Sequence, residues 1–127
     1  MKFIKKIKPF HVDDRGEMFY LLNKSAPITS ALYITCKKGA IRANHYHKKD
    51  THHSYMIKGS MEYIYKDAND KDAKEHKVII RKGEIVETPL MTMHAMRFLE
   101  DSIFIALTTE ARDQKKYEND TVRVKLV

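Results

Sequence analysis

Residues 39–59 constrain the fold more than any other part of the chain, because they hold four of its seven histidines between two glycines. Residues two apart point to the same face of a strand, so a strand would aim His45 and His47 at one point and a helix would not. The polar residues 48–51 predict a turn, after which a second strand would bring His52 or His53 beside that pair. The sequence therefore predicts an imidazole cluster on two neighbouring strands.

A second histidine-bearing stretch follows further along the chain. Gly83 opens a strand-like run, Pro89 marks a turn, and the isolated His94 comes after it. One buried histidine is usually a hydrogen-bonded core residue, so His94 alone would indicate little. Its meaning depends on whether the fold brings it to the first cluster.

Together the two stretches resemble the paired sequence motifs of the cupins. The matching positions are Gly39, His45, His47 and Gly59 in the first motif, and Gly83, Pro89 and His94 in the second. His52 stands where the first motif has glutamate, while Met91 and Phe98 replace a glycine and an asparagine of the second. The resemblance implies a single cupin domain over residues 1–127, with an all-β fold that forms an antiparallel double-stranded β-helix, also called a jelly-roll barrel.

Short segments rich in β-branched and aromatic residues agree with an all-β fold. They predict strands at residues 17–22, 31–37, 61–65, 78–80, 84–88, 93–98, 103–108 and 121–126. No segment shows an amphipathic helical period over three turns, and the polar residues 67–74 predict an exposed loop. Many short strands with frequent turns favour an antiparallel sandwich or barrel.

Composition excludes several classes of protein. A chain of 127 residues with 43% hydrophobic residues suits one soluble domain with a single core. The net charge of +7 comes largely from dispersed lysines without an arginine-rich helix, so nucleic acid is not the expected partner. No apolar run is long enough to cross a membrane and no signal-peptide pattern is present, so we expect a cytoplasmic protein. The lone Cys36 is expected in the core.

The histidine cluster predicts a metal site. Three or four imidazoles that converge inside a barrel suit a borderline divalent ion such as zinc, iron or nickel. The expected ligands are His45, His47, His52 and His94. His53 should point to the opposite side of its strand, although a one-residue shift in register would exchange it with His52.

A second resemblance concerns residues 14–16, 42–48 and 117–123, which are similar to small cupins of surface-polysaccharide pathways. That group includes the nucleotide-sugar 3,4-ketoisomerases and is related to the 3,5-epimerases. The resemblance implies that His45 and His47 transfer protons without a metal. A second proton could come from a tyrosine on one of the strands, Tyr33, Tyr46, Tyr55 or Tyr63. The remaining expected site residues are the catalytic Tyr46 and the substrate-binding Arg15, Arg42, Asn44, Lys48 and Tyr55.

These observations lead to one leading hypothesis and two alternatives. The leading hypothesis is a metal-binding cupin that isomerises or epimerises a nucleotide-linked keto-sugar. His45 and His47 would serve either as acid/base groups or as ligands, because a nitrogen bound to a metal has no lone pair left for a proton. The alternatives are an iron- or nickel-dependent dioxygenase and a non-catalytic metal- or sugar-binding module. We expect a homodimer that pairs through edge strands, with residues 2–10 and 121–127 as candidates for exchange.

Overall fold

The computed structural model describes residues 4–22, 27–110 and 114–127. Their elements, in chain order, are β1 (Ile4–Lys6), β2 (His11–Asp13), β3 (Gly16–Met18), β4 (Ser30–Cys36), β5 (Ile41–His47), β6 (His52–Lys58), β7 (Ser60–Asp67), β8 (His76–Arg81), β9 (Glu84–Thr88), β10 (Thr92–Phe98), β11 (Ser102–Thr108), α1 (Gln114–Asp120) and β12 (Thr121–Arg123). The helix is too short to span a membrane, and the described part of the chain contains no helix that could.

The strands form two five-stranded antiparallel sheets. The first has the order β1-β9-β6-β11-β4 and the second the order β12-β5-β10-β7-β8, while β2 and β3 form a separate hairpin. From β4 to β7, each strand lies in the sheet opposite to the one before it, and β9, β10 and β11 alternate in the same way. This winding is typical of a jelly roll, and it confirms the all-β, antiparallel prediction.

The core lies between the two sheets. Alternation along the strands sends every second side chain inward, as in β11, where buried and half-buried residues alternate from end to end. Phe98 of one sheet stacks on Phe104 of the other, with ring centroids 5.8 Å apart. Tyr63 is fully buried and shares a 2.7 Å hydrogen bond with the hydroxyl of Thr88. Cys36 is buried in the same core, as predicted.

A β-bulge in β5 re-aims the side chains that precede the histidines. His45 pairs with His94 and Arg42 pairs with Met96, so β5 uses three steps where β10 uses two. The extra residue lies at Ala43 and Asn44, whose φ angles are 69° and 56°. Without a bulge, Arg42 and His45 would point to opposite faces, whereas the bulge turns both inward.

Most predicted strands are confirmed, including the two strands around the turn at residues 48–51, but two predicted strands are too long. The strand predicted at 17–22 ends at Met18, and the chain then turns so that Tyr20 stacks on Phe10. The strand predicted at 121–126 ends at Arg123. Beyond it, the backbone N–H groups of Leu126 and Val127 donate hydrogen bonds to the side-chain oxygen of Asn44. These bonds take the place of strand-to-strand hydrogen bonds.

The helix α1 was not predicted. It has seven residues, fewer than the three turns over which a helical period can be recognised in a sequence. The homodimer stays a prediction.

Candidate active site

Four imidazoles stand in a row between the two sheets. His94 on β10 lies 4.8 Å from His45 on β5, His45 lies 4.6 Å from His47, and His47 lies 4.7 Å from His52 on β6, measured between ring centroids. Each of the four is buried. The structure therefore brings together the four histidines that the sequence singled out.

Asp120 fixes the orientation of His47. The Nδ1 atom of His47 lies 3.2 Å from Oδ2 of Asp120 and 3.3 Å from the hydroxyl oxygen of Thr121. The Thr121 hydroxyl donates to the backbone oxygen of Tyr117, so both neighbours of Nδ1 can only accept a hydrogen bond from it. The proton of neutral His47 therefore sits on Nδ1, and Nε2 keeps its lone pair. That Nε2 atom is buried and has no hydrogen-bond partner among the described residues.

Asp120 also joins the helix to the turn between β5 and β6. Its carboxylate accepts the backbone N–H of Lys49 at 2.7 Å and that of Asp50 at 3.2 Å. Its backbone oxygen accepts the N–H of Lys48 at 3.1 Å. The end of α1 is thereby held against the strand that carries His45 and His47.

A second carboxylate holds His52 in the same way. Oδ2 of Asp50 accepts a 2.7 Å hydrogen bond from Nε2 of His52, and Oδ1 accepts from Thr109 and the backbone N–H of Glu110. Burial alone would raise the pKa of Asp50, but the hydrogen bond from His52 and those from the backbone lower it below its usual value. Asp50 is therefore a fixed anion that orients the ring of His52 through Nε2.

Burial keeps the other imidazoles neutral. It lowers the pKa of His45 to about 2 and that of His94 to about 3, and the neighbouring imidazoles lower both further. For His47, burial and His52 lower the pKa to about 4 against the opposing effect of Asp50 and Asp120. His94 donates its Nδ1 proton to the backbone oxygen of Thr92, so Nε2 is left as an acceptor. At neutral pH these rings act as bases or ligands and carry no charge.

A cavity opens beside the row. It has a volume of about 110 Å³, which suits a small group and not a whole nucleotide sugar. Its wall comprises Leu32, Ile34, Arg42, Ala43, His45, His52, Ser54, His94, Met96, Phe104, Ala106 and Tyr117. His47 is not part of this wall; its ring lies between those of His45 and His52, which are, and it is 2% exposed. Tyr117 on α1 contacts it, with ring centroids 5.4 Å apart.

Some of the other predicted site residues lie elsewhere. Arg42 does line the cavity, and its guanidinium donates to Sγ of Cys36 at 3.0 Å and to the backbone oxygen of Thr35 at 3.1 Å. Tyr46 alternates with His45 and His47 on β5 and therefore points out of the barrel. Tyr55 alternates with Ser54 and Met56 on β6 and also points outward, because its neighbours on that strand line the cavity or the core.

Three more predicted substrate-binding residues do not reach the cavity wall. Asn44 binds the C-terminal segment, where its amide group also donates to the backbone oxygen of Val127. Lys48 is exposed in the turn after β5. Arg15 lies in the β2–β3 hairpin, where it pairs with Asp13 at 2.7 Å and holds the pKa of that carboxyl at about 2.

His53 lies on the opposite side of its strand from His52, in the register that the sequence predicted. Its Nδ1 atom is 3.8 Å from Oε1 of Glu87. Residue 53 pairs with Leu107 and residue 52 with Thr108, so the exchange of His52 and His53 by a one-residue shift does not occur.

Sequence reasoning missed four residues of the site: Asp50, Ser54, Tyr117 and Asp120. Tyr117 and Asp120 belong to the segment 117–123 that carried the second resemblance, but nothing in that segment showed that it would reach the histidines. Asp50 precedes His52 by two residues, and its acidic side chain in a lysine-rich turn was the available signal.

The predicted metal ligands do not form one compact set. Among the residues that the structure describes, the group of potential ligands whose atoms lie within 4.8 Å of one another is His47, Asp50 and His52. His45 and His94 stand outside it, with 6.2 Å between the ring centroids of His47 and His94. Asp50 already accepts hydrogen bonds from His52, Thr109 and Glu110. The row of four does not match a single four-histidine site, and metal binding stays a prediction.

The neutral buried histidines predict a loss of stability in acid. In the unfolded chain each would take up a proton near its usual pKa of 6.5, whereas in the folded protein the pKa values of His47 and His94 are about 4 and 3. Stability should therefore be complete above about pH 6.5 and fall below it, by at most about 1.4 kcal/mol per pH unit for each histidine. Urea unfolding at a series of pH values measures this, and an unchanged midpoint between about pH 7 and pH 5 would contradict the burial of neutral rings.

Similar folds occur among sugar-nucleotide enzymes. A 3,4-ketoisomerase from Helicobacter canadensis is 22% identical, with a TM-score of 0.73 over 94% of this chain and 88% of that one. The QdtA sugar 3,4-ketoisomerase from Thermoanaerobacterium thermosaccharolyticum, solved with TDP, is 20% identical, with a TM-score of 0.71 over 94% and 85%. A dTDP-4-dehydrorhamnose 3,5-epimerase from Sulfolobus tokodaii is 18% identical, with a TM-score of 0.74 over 95% and 74%. At these identities the likeness shows the fold, which confirms the jelly-roll prediction.

Sequence comparison adds the family. No curated protein matches the chain. The sequence model of the polysaccharide biosynthesis C-terminal domain matches residues 11–122, which is most of the chain and includes every histidine of the row. The protein belongs to the polysaccharide biosynthesis C-terminal domain family.

Proposed function

We propose that the protein is an isomerase or epimerase that acts beside the carbonyl of a nucleotide-linked keto-sugar. The observation that carries the proposal is His47, a neutral buried imidazole whose Nδ1 proton is held by Asp120 and whose Nε2 has no partner among the described residues. This is how proteins orient an imidazole that takes a proton from a substrate. The family and the similarity in fold to 3,4-ketoisomerases and 3,5-epimerases supply the substrate class.

The chemistry requires a base next to a carbonyl. A hydrogen on the carbon beside a C=O group is acidic because the electron pair left behind moves into a C=C bond and onto the oxygen. Nε2 of His47 takes this proton, and Asp120 stabilises the imidazolium that forms. Return of a proton to the other face of the same carbon gives epimerisation. Return to the former carbonyl carbon, with loss of the proton from the neighbouring hydroxyl, moves the carbonyl along the ring.

The nucleotide would bind at the rim of the cavity. A cavity of about 110 Å³ suits a small group, so the carbonyl side of the sugar would enter it and the diphosphate would stay outside. Arg42 lines the cavity and is exposed, so part of its guanidinium remains accessible for a phosphate. The net charge of +7 favours an anionic ligand over a neutral one.

Binding and turnover together test the proposal. Calorimetric titration with TDP should show saturable binding, and TDP-4-keto-6-deoxyglucose, a ligand of a similar fold, is the first substrate to try. NMR would follow the position of the carbonyl. Absence of both binding and turnover with these ligands at millimolar concentration would reject the proposed sugar-nucleotide activity.

Metal binding is a second candidate function, and the hydrogen bonds that orient the histidines of the row support it. His47, His52 and His94 each give an N–H to an acceptor outside the row, as metal-binding histidines do, and the neutral rings of His47 and His94 keep a lone pair on Nε2. A divalent ion bound there would polarise a substrate oxygen. The dioxygenase alternative depends on such an ion.

A chelator separates the two candidates. Acid/base catalysis by neutral imidazoles predicts that activity with a keto-sugar nucleotide survives dialysis against EDTA. Elemental analysis of the same samples reports any bound ion. Loss of activity on dialysis, with recovery on addition of zinc, iron or nickel, would instead establish the metal and reject metal-free proton transfer.

A further inference from the structure

Ser54 is a buried polar residue with no assigned part in the proton transfer by His47. It lies on β6 two residues after His52 and lines the same cavity. Its side chain is 0% exposed, and its hydroxyl has no hydrogen-bond partner among the residues that the structure describes. The other two side-chain atoms in that condition are Nδ1 of His45 and Nε2 of His47. Ser54 and His45 both line the cavity, and the ring of His47 lies 4.6 Å from that of His45.

An unpaired buried hydroxyl has a cost. Removal from water without a compensating hydrogen bond destabilises a protein by about 1–3 kcal/mol. The neighbours of Ser54 in the sheet are Val86 on β9 and Ala106 on β11, and both are apolar and buried. Alanine would fit this position without the cost. A serine here suits a hydroxyl that meets a ligand, because none of the residues that the structure describes forms a hydrogen bond with it.

We propose that the hydroxyl of Ser54 donates a hydrogen bond to the carbonyl oxygen of the sugar and to the enolate oxygen that forms from it. This inference rests on the proposed function. When His47 takes the carbon-bound proton, the C–H electron pair forms a C=C bond and the carbonyl electron pair moves to the oxygen, which becomes negative. The hydroxyl proton stays on Ser54 throughout. Reprotonation at carbon restores the carbonyl, so no oxidant or reductant is needed.

Ser54 suits this role better than His47, His94 and Arg42. His47 and His94 hold their Nδ1 protons against Asp120 and Thr92, so Nε2 of each neutral ring cannot donate to an oxygen. Arg42 donates through Nε to Cys36 and through Nη2 to Thr35, and its position near the mouth suits the diphosphate. A serine hydroxyl is uncharged, can rotate toward the oxygen and lies in an apolar wall where a hydrogen bond to a developing charge is strong.

The change Ser54→Ala tests the proposal with two readouts of opposite sign. Loss of one donor to a developing oxyanion should lower kcat about 10²–10³-fold. The melting temperature of the free protein should stay the same or rise, because the variant removes an unpaired buried hydroxyl. The Kd for TDP should not change, because TDP carries no sugar beyond the phosphates. The extra thermal stabilisation that TDP-4-keto-6-deoxyglucose gives over TDP should shrink.

Ser102→Ala is the matched control. Ser102 is buried like Ser54, but its hydroxyl donates to the backbone oxygen of Glu100 at 2.8 Å and it does not line the cavity. This variant should lower the melting temperature and leave kcat unchanged.

Two outcomes would overturn the proposal for Ser54. One is wild-type kcat in Ser54→Ala, and the other is a fall in melting temperature as large as that of Ser102→Ala, which would show a structural hydroxyl. An active wild-type enzyme with an unaffected variant rejects only the role of Ser54. A wild-type protein that turns over no keto-sugar nucleotide rejects the proposed function and this inference together.

Discussion

The variant His47→Asn should lower kcat for a keto-sugar nucleotide by about 10²–10⁴-fold, the usual contribution of a general base. The asparagine amide can replace Nδ1 as the donor to Asp120, so the variant should fold, but it has no atom in place of Nε2. The Kd for TDP should remain near that of the wild type, because His47 is 2% exposed and does not reach the rim where the nucleotide would bind. Steady-state kinetics and calorimetry measure the two effects separately.

His11→Asn is the control for that variant. His11 is an exposed residue of the β2–β3 hairpin, and its Nε2 atom contacts Asp13 at 3.0 Å, outside the cavity wall. It should retain wild-type kcat. If His47→Asn were as active as His11→Asn, then His47 would not be the base.

Asp50→Ala should produce the largest loss of stability, about 3–5 kcal/mol. Asp50 is 2% exposed, and its carboxylate accepts from the backbone of Thr109 and Glu110, from the Thr109 hydroxyl and from His52. Its removal leaves several buried donors unpaired, each of which costs about 1–3 kcal/mol where water cannot reach it. Urea unfolding of the purified variant measures the difference.

Asp50→Asn is the milder partner of that variant. Its side-chain oxygen can still accept from Thr109 and Glu110, while its amide faces His52. It should therefore recover most of the stability that alanine loses. Equal stability of Asp50→Ala and the wild type would show that the carboxylate does not hold the loop after β11 to the turn before β6.

The local part of the site, which comprises His45, His47 and His52, could be predicted from the sequence. His45 and His47 are two apart on a strand, and alternation alone turns both to one face. The turn at residues 48–51 then places His52 beside them. The jelly-roll winding that brings His94 to the same row followed from the motif spacings of the cupin resemblance.

The features that were predicted wrongly or not at all depend on contacts between residues that are distant in the sequence. At the bulge Asn44 adopts the left-handed conformation, and its side chain binds the C-terminal segment. A strand pattern in the sequence reveals neither feature. Tyr46 was expected in the site as a proton donor, yet the same alternation that aims His45 and His47 inward turns it outward. Asp120 reaches His47 only through the helix α1, which is too short to leave a periodic signal.

Solvent exchange tests the central claim most directly. The wild-type protein, TDP-4-keto-6-deoxyglucose and deuterated water would be followed by proton NMR, with His47→Asn in parallel. We predict that deuterium replaces the hydrogen on a carbon beside the carbonyl in the wild-type sample, along with epimer or shifted ketone, and that His47→Asn shows neither within the same time. Binding of the sugar nucleotide without any exchange at carbon would contradict proton abstraction by this site.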